Sequence, residues 1–260
     1  MANKVFYYQD HKSHIHNKLF PHNFRMLIVG QSGCGKTTLL MRLLLESNLL
    51  NYDKLYVFAR SLHQQEYKSL KAGFEHKLPK TDIIEILNAG NKILKNESSI
   101  EELARGLALD NEENDIFPSE IEAEFFGTSE EIPDPSDLDL TIHNLIIFDD
   151  IMTDKKQSTA EAYYTRGRSC NCDCIYLSQN YTHLPLHTIR SNANFMIFFK
   201  SSPLVVEQLF RQFSSVDFDD YKLWKEFCKK CWNQKYGILV IDLSRDFDTN
   251  NKYRSSIKLV

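Results

Sequence analysis

The sequence lacks any apolar run near the roughly 20 residues that a membrane-spanning helix requires. Its opening segment, MANKVFYYQDHKSHIHNK, lacks the apolar core of a secretion signal, and neither end carries a lipidation motif. These absences argue against membrane and secreted proteins and predict a soluble, intracellular protein. Its 260 residues, 42% hydrophobic and 25% charged, are typical of a globular chain that buries one substantial core.

Cysteine occurs six times, and without an export signal the thiols are expected to be free. Cys228 and Cys231 have the two-residue gap that zinc sites favour, so a zinc site stays open as a minor alternative. Against it, the cysteines at 170, 172 and 174 run directly into an apolar strand, and the sequence offers no second well-spaced pair.

Basic side chains are nearly missing from residues 97–139. This stretch holds fifteen acidic residues and one basic residue, Arg105, which is a net charge of −14 in a chain whose total is −4. All other residues together therefore carry +10, and a basic body suits a polyanionic partner.

We interpret the chain as an N-terminal arm, residues 1–23, followed by one domain, residues 24–260, with an acidic insertion at about 97–139.

Short apolar segments alternate with helical patterns along the chain, and no internal repeat is visible. Several of the apolar segments lack a polar face, which is typical of strands buried on both sides in a parallel sheet. The sequence therefore predicts an α/β fold with a mainly parallel sheet and helices on both faces. Strands are predicted at 24–30, 54–59, 143–150, 174–179, 193–200 and 236–243, and helices at 36–47, within 61–94, and at 157–167, 203–213 and 219–231.

A phosphate-binding motif follows the first predicted strand and begins the first predicted helix. GQSGCGKT, residues 30–37, matches the pattern G-x-x-x-x-G-K-[ST] in full. Its glycines let successive N–H groups point inward at the positive end of the helix dipole. Lys36 is predicted to bind the β- and γ-phosphates of ATP, and the Thr37 hydroxyl to bind Mg²⁺. The predicted phosphate contacts are Gly30, Gln31, Ser32, Gly33, Cys34, Gly35, Lys36, Thr37 and Thr38.

A pair of carboxylates follows the strand at 143–150. Four apolar residues, LIIF, lead into Asp149 and Asp150. In a nucleotide-binding protein, Asp149 is predicted to hold Mg²⁺ through its water shell, and Asp150 to polarise the attacking water.

The place of the strand at 174–179 in the sheet distinguishes two P-loop architectures. In one, the strands that lead to the phosphate loop and to the carboxylates are neighbours; in the other, an additional strand lies between them. We expect segment 174–179 to be that additional strand, which would bring Gln179 to the γ-phosphate. An amide there can hydrogen-bond both a phosphate oxygen and the attacking water.

Three segments together resemble a known family: GQSGCGKTTL, LIIFDD and RGRSCNCDCIYLSQNYTHLPLHTIRSNANFMIFF. They are similar to the genome-packaging ATPases of large DNA viruses, virophages and Polinton-type elements, the poxvirus-type members of the FtsK/HerA superfamily. The resemblance runs in order from about Phe24 to Phe199 and is interrupted by the acidic insertion. Beyond residue 200 only the general layout matches.

The resemblance implies a RecA-like P-loop NTPase of the additional-strand type that assembles as a homo-oligomeric ring, a pentamer or a hexamer. It implies ATP hydrolysis with Mg²⁺ that pumps double-stranded DNA into a capsid, with a capsid protein as a candidate partner. Such a protein is encoded by a virus or related element and acts in the nucleus or cytoplasm of the infected cell, or in the virion.

The resemblance also implies an arginine finger near the start of the strand at 174–179, where Arg166 and Arg168 lie. An arginine supplied by a neighbouring subunit stabilises charge on the phosphoryl group. Arg190 is a second candidate, for phosphate or DNA contact. Two positions depart from the family: Ser169 stands where related sequences often have histidine, and Asp150 where many additional-strand ATPases have glutamate.

Two other functions remain open: a nucleotide-gated assembly module of the virion and a small-molecule P-loop kinase. The guanine-reading motif N-K-x-D is absent, which counts against a GTPase. For a DNA pump, contacts are expected mainly with phosphates, because a pump must handle any sequence. Candidate contacts are Lys200, Arg211, Lys222, Lys225 and the lysines of 229–235.

Overall fold

A computed structural model describes residues 16–90, 97–151, 157–247 and 251–257. Seven α-helices and eight β-strands form within these residues. The strands are β1 Arg25–Val29, β2 Lys54–Ala59, β3 Glu122–Phe126, β4 Asn144–Asp149, β5 Cys172–Ser178, β6 Phe195–Phe199, β7 Ile238–Asp242 and β8 Tyr253–Arg254. The helices are α1 Lys36–Leu45, α2 Gln65–Glu75, α3 Lys80–Gly90, α4 Glu97–Glu113, α5 Ser158–Arg166, α6 Pro203–Leu209 and α7 Tyr221–Cys231.

All described strands belong to one sheet, in the order β3-β2-β4-β5-β1-β6-β7-β8. The first six strands of this order are parallel, while β7 and β8 pair antiparallel at one edge. Strand β5 lies between β1 and β4, with Ser178 opposite Val29 and Leu177 opposite Asp149. The prediction of a mainly parallel α/β fold with an additional strand between the two functional strands is confirmed.

Helices cover both faces of the sheet, and each face has its own apolar core. On one face α1, α2, α3 and α4 contribute buried residues such as Leu40, Leu70 and Ala104. On the other face α5, α6 and α7 contribute residues such as Tyr163 and Trp224. The central strands read as continuous apolar runs because they are covered on both sides. None of the helices in the described ranges has the length and apolarity needed to cross a membrane.

Side-chain caps fix where two of the C-terminal helices begin. The hydroxyl of Ser202 accepts a hydrogen bond from the N–H of Val205, and Pro203 occupies the first position of α6. The carboxylate of Asp220 accepts from the N–H of Leu223 and so caps α7. The predicted helix 203–213 is interrupted after Leu209, where a π-helical turn over residues 210–214 replaces it.

The acidic stretch 97–139 forms part of the sheet and its cover. Helix α4 begins at Glu97 and buries Ile100 and Ala104 in the core, and β3 pairs in parallel with β2. Glutamates alternate along β3, which suits an edge strand because charges there discourage pairing with another chain. The sequence prediction missed β3, and it also missed the two-residue strand β8.

The segment that precedes β1 is anchored to the sheet by a buried histidine pair. Residues 1–15 of the predicted arm lie outside the described residues, but His16 is buried and its Nε2 lies 2.6 Å from Asp173 Oδ2. His143 Nε2 lies 2.7 Å from the same oxygen. Asp173 is the second residue of β5, so this network ties the N-terminal segment and the start of β4 to the central strand.

Hydrogen bonding assigns the protons in this network. The N–H of Asn51 donates to Nδ1 of His16, which places the proton of that ring on Nε2, facing Asp173. The three side chains lie close enough to hold a metal ion, but a protonated Nε2 has no lone pair for one. His143 Nδ1 lies 3.3 Å from Asn171 Oδ1, an acceptor, so both of its ring nitrogens face acceptors.

The network shifts the pKa of two of its members. Burial lowers the pKa of His143, but the hydrogen bond to Asp173 and the negative charge of that carboxylate, with smaller contributions from Asn171 and Asp53, together outweigh burial and leave the pKa above its ordinary value. Burial raises the pKa of Asp173, but the hydrogen bonds from His143 and His16 and the charge interactions with both rings together outweigh burial and leave the pKa below its ordinary value. Between the lowered pKa of Asp173 and the raised pKa of His143, a protonated imidazole therefore faces an ionised carboxylate inside the protein.

Replacing Asp173 by Asn should lower the free energy of unfolding by about 3 kcal/mol, because a buried charge loses its partner. Urea unfolding measures this loss.

The raised pKa of His143 contributes stability that is complete below its unfolded value of about 6.5 and is lost as pH rises through the raised value. The lowered pKa of Asp173 contributes stability that is complete above about 3.9 and is lost only in stronger acid.

His143→Gln is the control for this pH dependence, because glutamine can still donate to Asp173 but does not titrate. As pH rises from about 6.5 through the raised pKa of His143, the wild type should lose more stability than the glutamine variant. Equal losses in both proteins would mean that His143 is not charged in the folded state.

Candidate nucleotide-binding site

The phosphate loop links the end of β1 to the start of α1. The N–H of Gly30 donates to Ser178 O of the neighbouring strand β5 at 3.0 Å. Gly33 and Gly35 have φ values of 73° and 102°, in the left-handed region that glycine adopts without strain. No side chain caps α1 at Gly35, and its first turn has no acidic residue. The free N–H groups at this helix start form a ready site for a phosphate.

Lys36 folds back over the loop. Its Nζ donates to Gly30 O at 2.7 Å and to Gln31 O at 3.1 Å. The ammonium therefore lies beside the N–H groups at the start of α1, and positive charge is concentrated at one point of the molecule.

Asp149 ends β4 in a buried position, with 8% of its surface exposed. The hydroxyl of Tyr67, a fully buried residue of α2, donates to Asp149 Oδ2 at 2.5 Å and fixes the carboxylate. Burial raises the pKa of Asp149, and the bond from Tyr67 opposes this in part. Sequence reasoning missed Tyr67, because its position in a helical apolar pattern marks it only as a core residue.

Asp150 and Gln179 meet above the carboxyl ends of β4 and β5. Asp150 has a left-handed φ of 55°, which turns the chain away from the strand direction directly after Asp149. Gln179 Nε2 donates to Asp150 Oδ1 at 3.3 Å. This contact follows from the strand order, since β5 neighbours β4 and both strands end at the same edge of the sheet.

These residues line one cavity of about 760 Å³, a size suited to a nucleotide. Of the predicted residues it contains Ser32, Gly33, Gly35, Lys36, Thr37, Thr38, Asp149, Asp150 and Gln179. Gly30, Gln31 and Cys34 do not line it; the Cys34 thiol instead lies below the loop, 2.5 Å from where a Cβ at Gly30 would be. A further wall, Gln234–Ile238 with Ser255–Ile257, was not predicted from the sequence.

Arg166 and Arg168 lie near the amino ends of the strands, whereas the cavity lies at the carboxyl ends. They flank the end of α5 and the 3-10 turn Gly167–Cys170 that leads into β5. The length of β5, about 20 Å for seven residues, separates this turn from Gln179. Neither arginine therefore reaches the cavity of its own chain.

The two arginines differ in their partners. Arg166 Nη2 lies 2.7 Å from Asp134 Oδ2, and half of the arginine side chain is exposed. Two hydrogen bonds from Ser136, with Arg166 as a further cause, lower the pKa of Asp134 to about 2. Arg168 is exposed and has no hydrogen-bond or ion-pair partner within the described part of the chain.

Arg190 does not line the cavity. Its guanidinium lies 5.0 Å from the ring centroid of Tyr181, and its Nε is buried without a hydrogen-bond partner. The Tyr181 hydroxyl in turn donates to Gln212 Oε1 at 2.7 Å.

The cysteines do not form a metal site in the structure. All six are free, and no group of three metal-binding side chains in the described ranges includes one of them. Cys228 and Cys231 lie on the buried side of α7, where burial raises the pKa of Cys231 to about 11. The structure therefore provides no support for the zinc alternative.

The comparison with protein families concerns the segment that contains this loop. Residues 11–71 match the model of the Poxvirus A32 protein family. The resemblance to poxvirus-type ATPases is thereby confirmed for this part of the chain. No curated protein matches the sequence.

Several solved structures are similar to this chain at low identity. The genome packaging NTPase B204 from Sulfolobus turreted icosahedral virus 2, in complex with ATP-gammaS, aligns over 89% of this chain and 96% of its own, with 12% identity and a TM-score of 0.44. The DNA-packaging ATPase B204 from Sulfolobus Turreted Icosahedral Virus aligns over 89% and 97%, with 15% identity and a TM-score of 0.43. VirB4 of Thermoanaerobacter pseudethanolicus aligns over 85% and 87%, with 10% identity and a TM-score of 0.44. These likenesses are too distant for residue roles to be transferred.

Iodoacetamide should modify one thiol per folded chain, that of Cys34, because the other five cysteines are buried. Burial raises the pKa of Cys34, and the nearby Lys36 opposes this only in part. The labelling rate should therefore keep increasing with pH beyond about pH 8.5, the ordinary pKa of a thiol. Mass spectrometry of intact protein counts the modified sites, and Cys34→Ser should leave the folded chain unlabelled. Labelling of two or more thiols in the wild type would contradict the burial pattern.

Proposed function

We propose that the protein is an ATPase that drives double-stranded DNA into a viral capsid. The observation that carries this proposal is the position of β5 between β1 and β4. It brings Gln179 to within 3.3 Å of Asp150, in the same cavity as the phosphate loop. The family match over residues 11–71 supports the same function.

ATP would bind with its triphosphate on the loop, where Lys36 and the free N–H groups of α1 supply positive charge. Mg²⁺ fits the same place, because the Thr37 hydroxyl and the Asp149 carboxylate are oxygen ligands of the kind it prefers and both line the cavity. When bound, the ion neutralises phosphate charge. Tyr67 acts through Asp149, because its hydrogen bond holds the carboxylate in a fixed orientation.

Asp150 is placed to accept a proton from the attacking water. The amide nitrogen of Gln179 donates to one carboxylate oxygen of Asp150, so the amide oxygen is left to accept a hydrogen bond from the same water. Gln179 would thereby connect the γ-phosphate position to the catalytic carboxylate and respond to the loss of that phosphate.

The arginine finger would come from a neighbouring subunit in a ring. Both candidate arginines lie at the edge of the sheet that is remote from their own cavity, which suits action across an interface. Arg168 is the better candidate, because Arg166 would first have to leave its ion pair with Asp134. This arrangement makes an isolated chain catalytically incomplete.

DNA contact is best assigned to the exposed side of α7. Trp224 and Cys228 face the core, while Lys222, Lys225 and Lys229 are exposed. Lys200, Lys230 and Lys235 are also exposed, whereas Arg211 pairs with Glu207. Contacts of this kind with phosphates predict DNA binding that weakens steeply as salt rises and depends little on sequence.

ATP hydrolysis measured with and without double-stranded DNA tests the proposal. DNA should stimulate the wild type, and Lys36→Ala and Arg168→Ala should each lower the rate by about 1,000-fold. Lys71→Ala is the matched control, since this exposed lysine of α2 pairs with the neighbouring Glu75 and does not line the cavity. A virion assembly module would hydrolyse slowly without a response to DNA, and a small-molecule kinase would respond to an acceptor substrate instead.

Mixing the Lys36→Ala and Arg168→Ala proteins tests whether the arginine acts across subunits. A Lys36→Ala subunit can still supply Arg168 to an intact phosphate loop next to it, so the mixture should recover part of the activity. No recovery, with both variants still assembling, would rule out Arg168 as the finger; the same mixture made with Arg166→Ala then tests the other candidate.

Gln179→Ala should leave the affinity for ATP nearly unchanged and lower kcat by about 100-fold, because the phosphate loop supplies most of the contacts to the triphosphate while the amide positions the attacking water. Gln179→Glu should be equally slow, since its carboxylate would lie against that of Asp150. Single-turnover hydrolysis together with equilibrium binding separates the two effects. A loss confined to ATP affinity would contradict the role given to Gln179.

A further inference from the structure

One wall of the cavity has no role in the chemistry of the triphosphate. The loop, Asp149, Asp150 and Gln179 account for the phosphate end. Segments 234–238 and 255–257 continue the cavity beyond the start of α1, on the side of β6, β7 and β8. If the cavity holds ATP, as proposed above, this wall is available to the nucleoside.

Tyr236 is the unusual residue of this wall. It has a left-handed φ of 65°, which is rare and costly for a residue with a large side chain. Tyr236 lies within a tight turn after α7, which is closed by a hydrogen bond from the N–H of Gly237 to Gln234 O at 3.0 Å and leaves no room for a side chain at Gly237. Backbone strain of this kind is often kept where it places a side chain for function.

The ring of Tyr236 is exposed beside the phosphate loop. Its relative exposure is 59%, whereas Phe199, the other aromatic residue that lines the cavity, is 3% exposed. The Tyr236 Cδ1 atom lies 3.3 Å from where a Cβ at Gly35 would be, so the absence of a side chain at Gly35 lets the ring approach the loop. The ammonium of Lys235 lies 5.0 Å from the ring centroid.

An exposed aromatic ring next to a phosphate site is well suited to stack on a base. Stacking of a base on an aromatic side chain is sequence-tolerant and strengthens binding by about tenfold or more. The neighbouring surface has the mixed character that a nucleoside needs, with buried apolar side chains at Ile238 and Ile257 and an exposed hydroxyl at Ser255.

We infer that Tyr236 stacks on the purine base of the bound nucleoside triphosphate and that segment 255–257 borders the base or its ribose. This inference rests on the proposed function, because it requires a triphosphate on the loop. It adds a second part to the site, one that distinguishes a nucleotide from a bare chain of phosphates.

Calorimetric titration with ATP and with inorganic tripolyphosphate, both in the presence of Mg²⁺, tests the inference. Tyr236→Ala should weaken ATP binding by about tenfold and leave tripolyphosphate binding within about twofold of the wild type. Tyr236→Phe keeps the ring and should bind both ligands like the wild type. In the alanine variant the preference for ATP over CTP should also shrink, because a purine stacks over a larger area than a pyrimidine.

Two results for Tyr236→Ala would overturn the inference. Equal losses for ATP and tripolyphosphate would mean that the ring supports the loop through Gly35, and no loss for either would mean that it touches neither ligand. Lys36→Ala is the reference for loss of the phosphate end and should weaken both ligands. A wild-type protein that binds neither ligand would overturn nucleotide binding itself, and the base site with it.

Discussion

The insertion of β5 between β1 and β4 is the constraint on which the site depends. Neighbouring strands lie about 4.8 Å apart, so the extra strand separates the phosphate loop from the carboxylates by about 10 Å. A γ-phosphate, its metal ion and a water molecule need a gap of this order. Because these strands are parallel and in register, Gly30, Gln179 and Asp150 all emerge at the same edge of the sheet. Polar groups distant in sequence thus face one cavity.

The same strand carries a buried charge at its other end. Asp173 is the one carboxylate within β5, and its desolvation is offset by hydrogen bonds from His16 and His143. These two residues precede β1 and β4, the strands on either side of β5. The network therefore fixes the starts of three adjacent strands relative to one another. Gln179 needs that register, because a one-residue shift of β5 would turn its side chains to the opposite faces.

The parts of this fold that follow from sequence are those set by apolar runs and a motif. The strands of the sheet centre could be predicted because burial on both faces leaves long apolar runs in them, with polar residues confined to their ends. Strand β3 could not, because an edge strand carries charge, and Glu122 and Glu124 make it look like part of an acidic loop. Tyr67 and Tyr236 could not be predicted as site residues either. Tyr67 has the helical apolar spacing of a core residue and is indeed buried, so the sequence does not show its bond to Asp149. Tyr236 lies in a turn, and no sequence pattern predicts its backbone conformation.

Base recognition and DNA contact, as proposed here, meet in one short segment. Helix α7 cannot slide freely on the core, because Trp224 Nε1 donates to Val206 O at 3.0 Å. One residue past the helix, Trp232 Nε1 donates to Phe198 O at 2.9 Å and ties the turn to β6, which neighbours β1. Tyr236 follows four residues later. Trp232 therefore lies between the proposed base site at Tyr236 and the end of α7, where Lys229 and Lys230 face solvent. The helix that carries these lysines and the strand that leads to the phosphate loop are thus both held by β6, which fixes the distance between the two proposed sites.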